Sequence, residues 1–366
     1  TVVMDKIKDV SWQKTFGGND DDGAESIQQT TDGGYIVAGW TNSFGSGLED
    51  VYILKLNSKG EVQWQKTFGG EEKDVANSIQ QTKDGGYIVA GYKGEYVYIL
   101  KLNSKGELEW QKTFGGEEKD VANSIQQTKD GGYIVAGYKG EYVYILKLNS
   151  KGELEWQKTF DGGYSDVANS IQQTKDGGYI VAGWTEFSDF LYKIVYILKL
   201  DAKGELEWEE TFGGASSDGA KSIQQTKDGG YIVAGWTYSF GSGNEDVYIL
   251  KLDAKGQLEW QKTFGGGSYE GANSIQQTTD GGYIVAGRTE SFDSGRKDVY
   301  ILKLNAKGQL EWQKTFGGGS NEAKSIQQTT DGGYIAAGWT SSFGSGEYDV
   351  YILKLNAKGE IEREQK

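Results

Sequence analysis

The 366-residue chain has no cysteine, no histidine and no proline. These absences exclude disulfides, thiol nucleophiles, the usual zinc sites, haem ligation by histidine or cysteine, and Ser-His-Asp triads. The first eight residues contain no apolar run long enough for a signal peptide or a membrane span. Basic residues are also scarce, with 38 Lys and Arg against 53 Asp and Glu and a net charge of −15. Such a surface repels phosphate backbones and anionic lipids, so we expect neither nucleic acid binding nor membrane insertion.

Most of the chain is one unit written seven times. Residues 71–116 and 117–162 have nearly identical sequences, and one tryptophan in each unit recurs at steps of 46 or 52 residues. Repeats of this length are typical of the four-stranded blades of β-propellers. The tryptophans that mark the period are Trp12, Trp64, Trp110, Trp156, Trp208, Trp260 and Trp312.

Each unit contains four short runs of β-branched and aromatic residues, which we call strands A to D. In the first unit they are predicted at residues 26–30, 35–40, 51–56 and 62–68. Asp-Gly between A and B, and the glycine between C and D, supply the positive φ angles that tight turns require. Strands B and C are apolar on both alternating sets of residues, which indicates a sheet packed between two other sheets.

The two ends of the chain predict how the ring closes. Residues 12–16 form a D strand with no A, B or C before them, whereas the seventh unit has Arg363 where the other units have tryptophan. We therefore expect residues 10–16 to pair antiparallel with residues 350–356. The predicted fold is all-β: a seven-bladed β-propeller of four-stranded antiparallel blades, closed by the N-terminal strand, forming one domain over residues 1–366. The expected blades are residues 24–68, 76–114, 122–160, 168–212, 220–264, 272–316, and 323–357 completed by 10–16.

Two motifs resemble known propeller families. The A–B stretch Gln-Thr-Lys-Asp-Gly-Gly-Tyr-Ile-Val-Ala-Gly resembles the Ser-Pro-Asp-Gly hairpin of WD-repeat propellers. The C–D stretch at residues 200–208 is similar to the tryptophan-docking motif of quinoprotein-like propellers, and the whole chain resembles repetitive propellers of prokaryotic surface proteins. The resemblance implies a propeller and an extracellular or cell-surface location. The chain lacks the WD-repeat Gly-His and Trp-Asp pairs and the paired cysteines of quinoprotein dehydrogenases, so no cofactor is expected.

The large differences among the seven units all lie in the D–A and B–C loops, such as residues 17–22, 69–74, 42–47 and 93–95. In a WD-like blade these loops open on one end of the propeller, which we call the variable end. The A–B and C–D turns scarcely change and open on the other, uniform end. Because rigid scaffolds carry binding residues on their loops, we expect the variable end to be the binding face; free drift of exposed loops is the alternative.

Strand B ends in a large residue in every unit. Aromatic rims of this kind can stack on sugars, bases or side chains; the alternative, which the position of these residues favours, is that each caps the core between two blades. Arg288 breaks the pattern and could grip a carboxylate in a bidentate fork or pair with a nearby acid. The candidate ligand-binding residues are Trp40, Tyr92, Tyr138, Trp184, Trp236, Arg288 and Trp339.

The fourth unit has an unusual B–C loop at residues 186–194. Its glycines are gone, and large apolar or aromatic side chains have appeared where four of the five long loops are polar and glycine-rich. Exposed apolar clusters usually mark a contact surface. We predict that Phe187, Phe190, Leu191 and Tyr192 contact a partner, including a second copy of the chain; folding inward over the blade is the alternative.

Acidic residues precede strand A in six units, as at Asp22 and Glu270. We expect them to accept backbone N–H groups of the D–A loop, because the alternating ligands of an EF-hand calcium loop are missing. Glycoside hydrolysis by two carboxylates needs neither histidine nor cysteine, so the composition does not exclude it. However, an active site needs unlike groups at one place, and these acids repeat from blade to blade. The expected function is therefore non-enzymatic binding or scaffolding, with a protein or glycan ligand at the variable end. A carbohydrate-active propeller, either a lectin-like binder or a glycoside hydrolase, is the alternative.

Overall fold

The computed structural model describes residues 11–116, 118–187, 192–292 and 296–361. It confirms an all-β, seven-bladed propeller, with each blade a sheet of four antiparallel strands. Within those ranges, no helix has the length and apolarity needed to cross a membrane.

The strands follow the A-to-D order of the sequence repeat. The A strands are β2 Asp22–Gln29, β6 Asp74–Gln81, β10 Asp120–Gln127, β14 Ser165–Gln173, β18 Asp218–Gln225, β22 Glu270–Gln277 and β26 Asn321–Gln328. The B strands are β3 Tyr35–Thr41, β7 Tyr87–Lys93, β11 Tyr133–Lys139, β15 Tyr179–Phe187, β19 Tyr231–Thr237, β23 Tyr283–Thr289 and β27 Tyr334–Thr340. The C strands are β4 Asp50–Leu56, β8 Tyr96–Leu102, β12 Tyr142–Leu148, β16 Tyr192–Leu200, β20 Asp246–Leu252, β24 Asp298–Leu304 and β28 Asp349–Leu355. The D strands are β5 Val62–Phe68, β9 Leu108–Phe114, β13 Leu154–Phe160, β17 Leu206–Phe212, β21 Leu258–Phe264, β25 Leu310–Phe316 and β1 Trp12–Phe16.

The A strands begin earlier than the sequence pattern predicts. In the first blade β2 starts at Asp22 rather than Ser26 and pairs with β3 through a bulge: Ala24 lies opposite Gly39, and Ser26 lies opposite Ala38. The residue between them, Glu25, is the extra residue of the bulge. The same register shift occurs in all seven A–B pairs. It directs one side chain per blade to the mouth of the central channel, out of the alternating pattern.

The N-terminal strand closes the ring as predicted. Strand β1 pairs antiparallel with β28, from Trp12 opposite Lys354 to Phe16 opposite Val350. Trp12 is 9% exposed and lies edge-on to Tyr35 with ring centroids 6.0 Å apart. A Cβ on Gly60, whose φ is +70°, would lie 2.6 Å from the indole, so the C–D turn needs glycine where the neighbouring tryptophan docks. Each other docked tryptophan packs against the following blade in the same way.

The core consists of seven similar layers between adjacent blades. In one layer, Ile36 and Ala38 of the first blade pack against Ala76, Ile79 and Tyr87 of the second. Strands B and C are buried along nearly their whole length, as their two-sided apolar pattern predicts. Burial on both faces of each sheet joins the blades into one continuous ring of apolar contacts.

Side chains also satisfy the inner edges of the A strands. The Gln28 side chain accepts the backbone N–H of Gln81 at 2.6 Å, and the Ser26 hydroxyl accepts that of Ile79 at 3.3 Å. The same two bonds recur between every pair of neighbouring A strands, including blades seven and one. Edge N–H groups that would otherwise lack protein partners are thus paired around the whole channel.

At the uniform end, a buried lysine ties strand C to the A–B turn. Lys55 is 3% exposed, lies 2.9 Å from Asp32 and donates to the Leu56 carbonyl at 3.0 Å. The same lysine–aspartate pair occurs in all seven blades. Sequence analysis did not single out this lysine, although a charged residue in an apolar strand was the available signal.

The fourth blade corrects one sequence interpretation. Residues 186–194 were expected to form a loop, but β15 extends to Phe187 and β16 starts at Tyr192, with these two residues paired. The loss of glycine and gain of β-forming residues explain why the hairpin is longer here than in the other blades. Tyr192 is half-buried, whereas Phe190 and Leu191 and the side chain of Phe187 lie outside the described residues.

Candidate binding site

The acidic residue at the start of strand A holds the variable-end loops in place. Asp22 accepts the N–H of Gly18 at 2.7 Å and also the hydroxyls of Thr41 and Ser43. The equivalent acid accepts the same loop N–H in four further blades. This confirms the predicted structural role in these blades. In the described parts of the chain, no group of three or more acidic side chains is arranged to hold a metal ion.

Exposed apolar or aromatic side chains occur at the variable end, in the loops or at the first residue of a C strand. They are Leu48, Tyr96, Tyr142, Tyr164, Tyr238, Tyr269 and Phe343, each between 38% and 63% exposed. The uniform end carries a different set, one residue at the start of each of six D strands, such as Leu258 at 44%. Among the residues that the structure describes, five of these seven exposed apolar or aromatic side chains at the variable end are tyrosines, a type enriched at protein interfaces.

The large residues that end the B strands are all half-buried. Trp40 and Trp236 lie across glycines of the A strand beside them: a Cβ on Gly23 or Gly219 would come within 2.8 Å of the indole. Lysine ammonium groups lie over three of the others, at 5.2 Å from the Tyr92 ring, 3.9 Å from that of Trp184 and 5.5 Å from that of Trp339. Much of this predicted aromatic rim is therefore occupied by the protein's own side chains.

The bulge residue of strand A forms an inner circle at the mouth of the channel. In four blades it is asparagine, and its amide donates to the alanine carbonyl of the next A strand, as from Asn77 to Ala122 at 2.9 Å. In the other three blades the residue is charged: Glu25, Lys221 or Lys324. The asparagines of blades two to four leave one arc of the mouth uncharged, whereas blades five, seven and one carry charge.

A pocket of about 310 Å³ lies in the charged arc, between blades five, six and seven. On one side, both oxygens of Glu245 accept bonds from Nη2 of Arg288, at 3.1 and 3.2 Å, and the Tyr238 hydroxyl donates to Glu245 at 2.9 Å. Burial, followed by this hydrogen bond, raises the pKa of Tyr238 to about 12. Trp236 completes the wall, with its ring 5.6 Å from that of Tyr238. The expected pairing of Arg288 with a nearby acid is what the structure shows.

The opposite wall of the pocket is a second ion pair. Glu322 accepts from Lys324 at 2.9 Å and from the Asn273 amide at 2.7 Å. Burial opposes ionisation of Glu322, but these two partners outweigh it, so its pKa lies below the ordinary glutamate value. Burial also opposes the charge of Lys324, but the carboxylates of Glu25 and Glu322 raise its pKa overall.

Lys221 is the third cation of this pocket, and it is not compensated in the same way. Its ammonium group makes no hydrogen bond and no ion pair with any of the residues that the structure describes, and Glu322 and Glu25 act on it only as more distant charges. Burial, followed by the charge of Lys324, lowers the pKa of Lys221. In the first blade, which follows blade seven around the channel mouth, burial raises the pKa of Glu25. The mouth thus holds one cation without a direct partner, beside an aromatic wall.

The structure brings two of the predicted ligand-binding residues together in this pocket, Trp236 and Arg288. Trp40, Tyr92, Tyr138, Trp184 and Trp339 lie at other positions around the variable end. Sequence analysis missed Lys221, Glu245, Glu322 and Lys324. For three of them a signal was available: aligning the seven units shows Lys221 and Lys324 where four units have asparagine, and Glu322 where the other units have glycine or valine.

Comparisons with known proteins agree on the fold. The family described as "Domain of unknown function (DUF5122) beta-propeller" matches residues 226–259. No curated protein matches the chain. Among solved structures, Sqt1 of Chaetomium thermophilum is 10% identical, with a TM-score of 0.54, covering 93% of this chain and 96% of that one. The Pan2 WD40 domain of Neurospora crassa is 11% identical, with a TM-score of 0.58, covering 91% and 89%. A protein of unknown function from Dyadobacter fermentans is 14% identical, with a TM-score of 0.55, covering 94% and 98%. Sqt1 has also been solved bound to the N-terminus of ribosomal protein L10.

Proposed function

We propose that this propeller is a non-enzymatic binding protein that holds a protein ligand on its variable end. The observation that carries the proposal is that the loops differing between otherwise near-identical blades converge on one end, where they present exposed tyrosines. Large amphipathic side chains on a rigid frame provide contact area at a low cost in conformational entropy. The Sqt1 complex supports the proposal by analogy, since that propeller binds a protein segment.

The internal organisation of the loops also favours binding. The Asp22 bonds to Gly18, Thr41 and Ser43 fix a D–A loop against a B–C loop before any partner arrives. A preorganised surface loses less conformational freedom on association, so more of its contact energy appears as affinity. The excess of acidic residues over the chain favours a partner with a basic surface.

The experiment compares two ends of one blade. A cysteine introduced at Lys255, in the C–D turn of the fifth blade, allows immobilisation through the uniform end, because the chain has no other cysteine. Proteins captured from a host extract are then compared between the parent chain, Tyr238→Ala and the matched control Leu258→Ala, whose side chain is similarly exposed. We expect Tyr238→Ala to lose the captured partner and Leu258→Ala to keep it. Equal capture by both variants would contradict the proposal.

A carbohydrate ligand is the second candidate, because exposed tyrosines such as Tyr164 and Tyr269 also suit stacking on sugar rings. A glycan array with the same variants separates the two: sugar binding that is lost in Tyr238→Ala would favour the lectin-like role. Turnover of chromogenic glycosides would instead indicate a glycoside hydrolase.

The hairpin end of the fourth blade remains a separate prediction. We expect Phe187, Phe190, Leu191 and Tyr192 to form a hydrophobic contact with a partner or with a second copy of the chain. Replacing Phe190 and Leu191 by Ser should abolish that association while the melting temperature barely moves. A large loss of thermal stability with unchanged association would mean that these side chains belong to the core of the blade.

A further inference from the structure

The charged arc of the channel mouth is the part of the molecule where the repeat departs most from itself in chemistry. Blades two, three and four keep an asparagine that ties each A strand to the next, as at Asn169, which donates to the Ala220 carbonyl at 2.7 Å. Lys221, at the next position around the ring, makes no such bond to the Ala272 carbonyl beside it. The chain therefore gives up a structural hydrogen bond at this position and places a positive charge at the edge of a pocket.

The charges of the pocket do not cancel locally. Arg288 is held by Glu245, and Lys324 is held by Glu322, each pair at hydrogen-bond distance. Lys221 is left as the surplus cation, half-buried at the narrow mouth of the channel where water solvates it poorly. A buried charge without a partner is costly, so an arriving anion gains more there than at an exposed lysine.

The residues of the pocket walls restrict which kind of anion can bind there. Trp236 and Tyr238 offer aromatic surface on the wall that also holds Glu245, while Glu322 places a second negative charge on the opposite wall. A doubly charged phosphate would meet two carboxylates for one free ammonium, whereas a single carboxylate matches one ammonium. The volume of about 310 Å³ lies at the low end of the range for small-molecule pockets, about 300–1,000 Å³.

We propose that this pocket binds a carboxylate group, which pairs with Lys221 while an apolar or aromatic part of the same ligand lies against Trp236 and Tyr238. The carboxylate comes either from a protein partner, as a chain terminus or an acidic side chain, or from a free small molecule. The first source rests on the proposed binding role of the variable end. The second does not.

The test uses 3-phenylpropanoate and its neutral isostere 3-phenylpropanamide as probes of the full chain. Binding is measured by calorimetry and by the indole N–H resonances of the eleven tryptophans, with Trp236→Phe identifying the resonance of Trp236. We expect the carboxylate to bind in the millimolar range and to shift the Trp236 resonance most. The amide should bind at least about tenfold more weakly, because it loses a charge-assisted bond.

Three variants locate the charge that is responsible. Lys221→Asn installs the residue of four other blades, so the fold should persist, and it should weaken 3-phenylpropanoate binding at least about tenfold. Lys221→Arg should retain binding. Lys262→Asn removes one exposed positive charge from strand β21 of the same blade and should change nothing. Equal binding of carboxylate and amide, undiminished binding by Lys221→Asn, or no binding by the parent chain up to about 50 mM, where even a weak millimolar site is filled, would each overturn the proposal.

Short peptides distinguish the sources. Acetyl-Gly-Phe with a free carboxyl terminus, its C-terminal amide, and acetyl-Phe-Glu-Gly-amide separate a chain terminus from an internal acidic side chain. Preference for 3-phenylpropanoate over all three peptides supports a free small molecule. If a captured protein partner binds Lys221→Asn as well as the parent chain, the carboxylate pocket is not part of that interface although the proposed function stands. If the probes bind but capture of no protein partner depends on Tyr238, the carboxylate pocket stands and the proposed function of the variable end fails.

Discussion

Ring closure depends on one short strand, β1, and removing its tryptophan measures how much that strand contributes to the stability of the protein. Trp12 is 9% exposed, meets Tyr35 edge-on and covers Gly60 of the first blade. Trp12→Ala should lower the free energy of unfolding by about 3–5 kcal/mol, the range for deleting a large buried aromatic side chain. Urea denaturation followed by tryptophan fluorescence measures this change.

Trp312→Ala is the matched control for Trp12→Ala. Trp312 docks on Gly359 and Tyr334 with nearly the same geometry, but it is half-buried and its strand β25 continues directly into the seventh blade. Its loss of stability should be no larger than that of Trp12→Ala and should not promote association. Strand β1, in contrast, is held in the seventh blade by its pairing with β28. Weakening β1 should expose the edge of β28, which is a template for pairing with other chains.

Deleting residues 1–16 takes the same reasoning to its limit. The truncated protein should unfold at lower urea and form larger species with increasing concentration, measured by light scattering after size-exclusion chromatography. If it unfolds like the full chain and keeps the same mass in solution, the inference that β1 closes and protects the ring is refuted.

Three further predictions concern the frame of the propeller. The pKa values of Asp32, Asp130 and Asp280 lie at about 2 because, against the effect of burial, the threonine hydroxyl, the lysine and the glycine N–H of each turn stabilise the carboxylate. These folded-state pKa values lie below the ordinary 3.8, so the stability that the ionised carboxylates contribute is present above pH 4 and should be lost between about pH 4 and 2. Thermal melts across that range measure the loss. A melting temperature that does not change with pH there would count against a stabilising role of the lysine–aspartate pairs. Lys101→Met should cost about 1–3 kcal/mol by leaving the Leu102 carbonyl without its donor, whereas exposed Lys112→Met should be neutral in the same urea titration. A Cβ on Gly91 would overlap the Val75 carbonyl oxygen, whereas one on Gly85 has open space and only a φ of +83° to disturb it. Gly91→Ala should therefore destabilise the fold more than Gly85→Ala, for which about 1–2 kcal/mol is expected; equal losses would show that backbone crowding is not the reason for the glycine.

Much of the architecture could be predicted because it depends on local patterns that are repeated seven times. The alternation of apolar residues along strands B and C, the Asp-Gly turns and the orphan D strand at residues 12–16 each specify structure within a few residues of themselves. The early start of the A strands could not be predicted in this way. The bulge at Glu25 arises from pairing with Gly39, fourteen residues away, and no local signal marks it.

The candidate site divides along the same line. The sequence by itself determined that the variable loops share one end, that Trp236 belongs to the set of large residues there and that Arg288 breaks the pattern, since all three follow from position within the repeat. Only the tertiary structure decided that Lys221, Arg288 and Glu322 face one pocket. These residues come from three blades, and the rotation from one blade to the next around the channel brings them together although about 100 residues separate the first from the last. Contacts of this kind depend on the closed ring, because a single blade contributes only one side of the pocket.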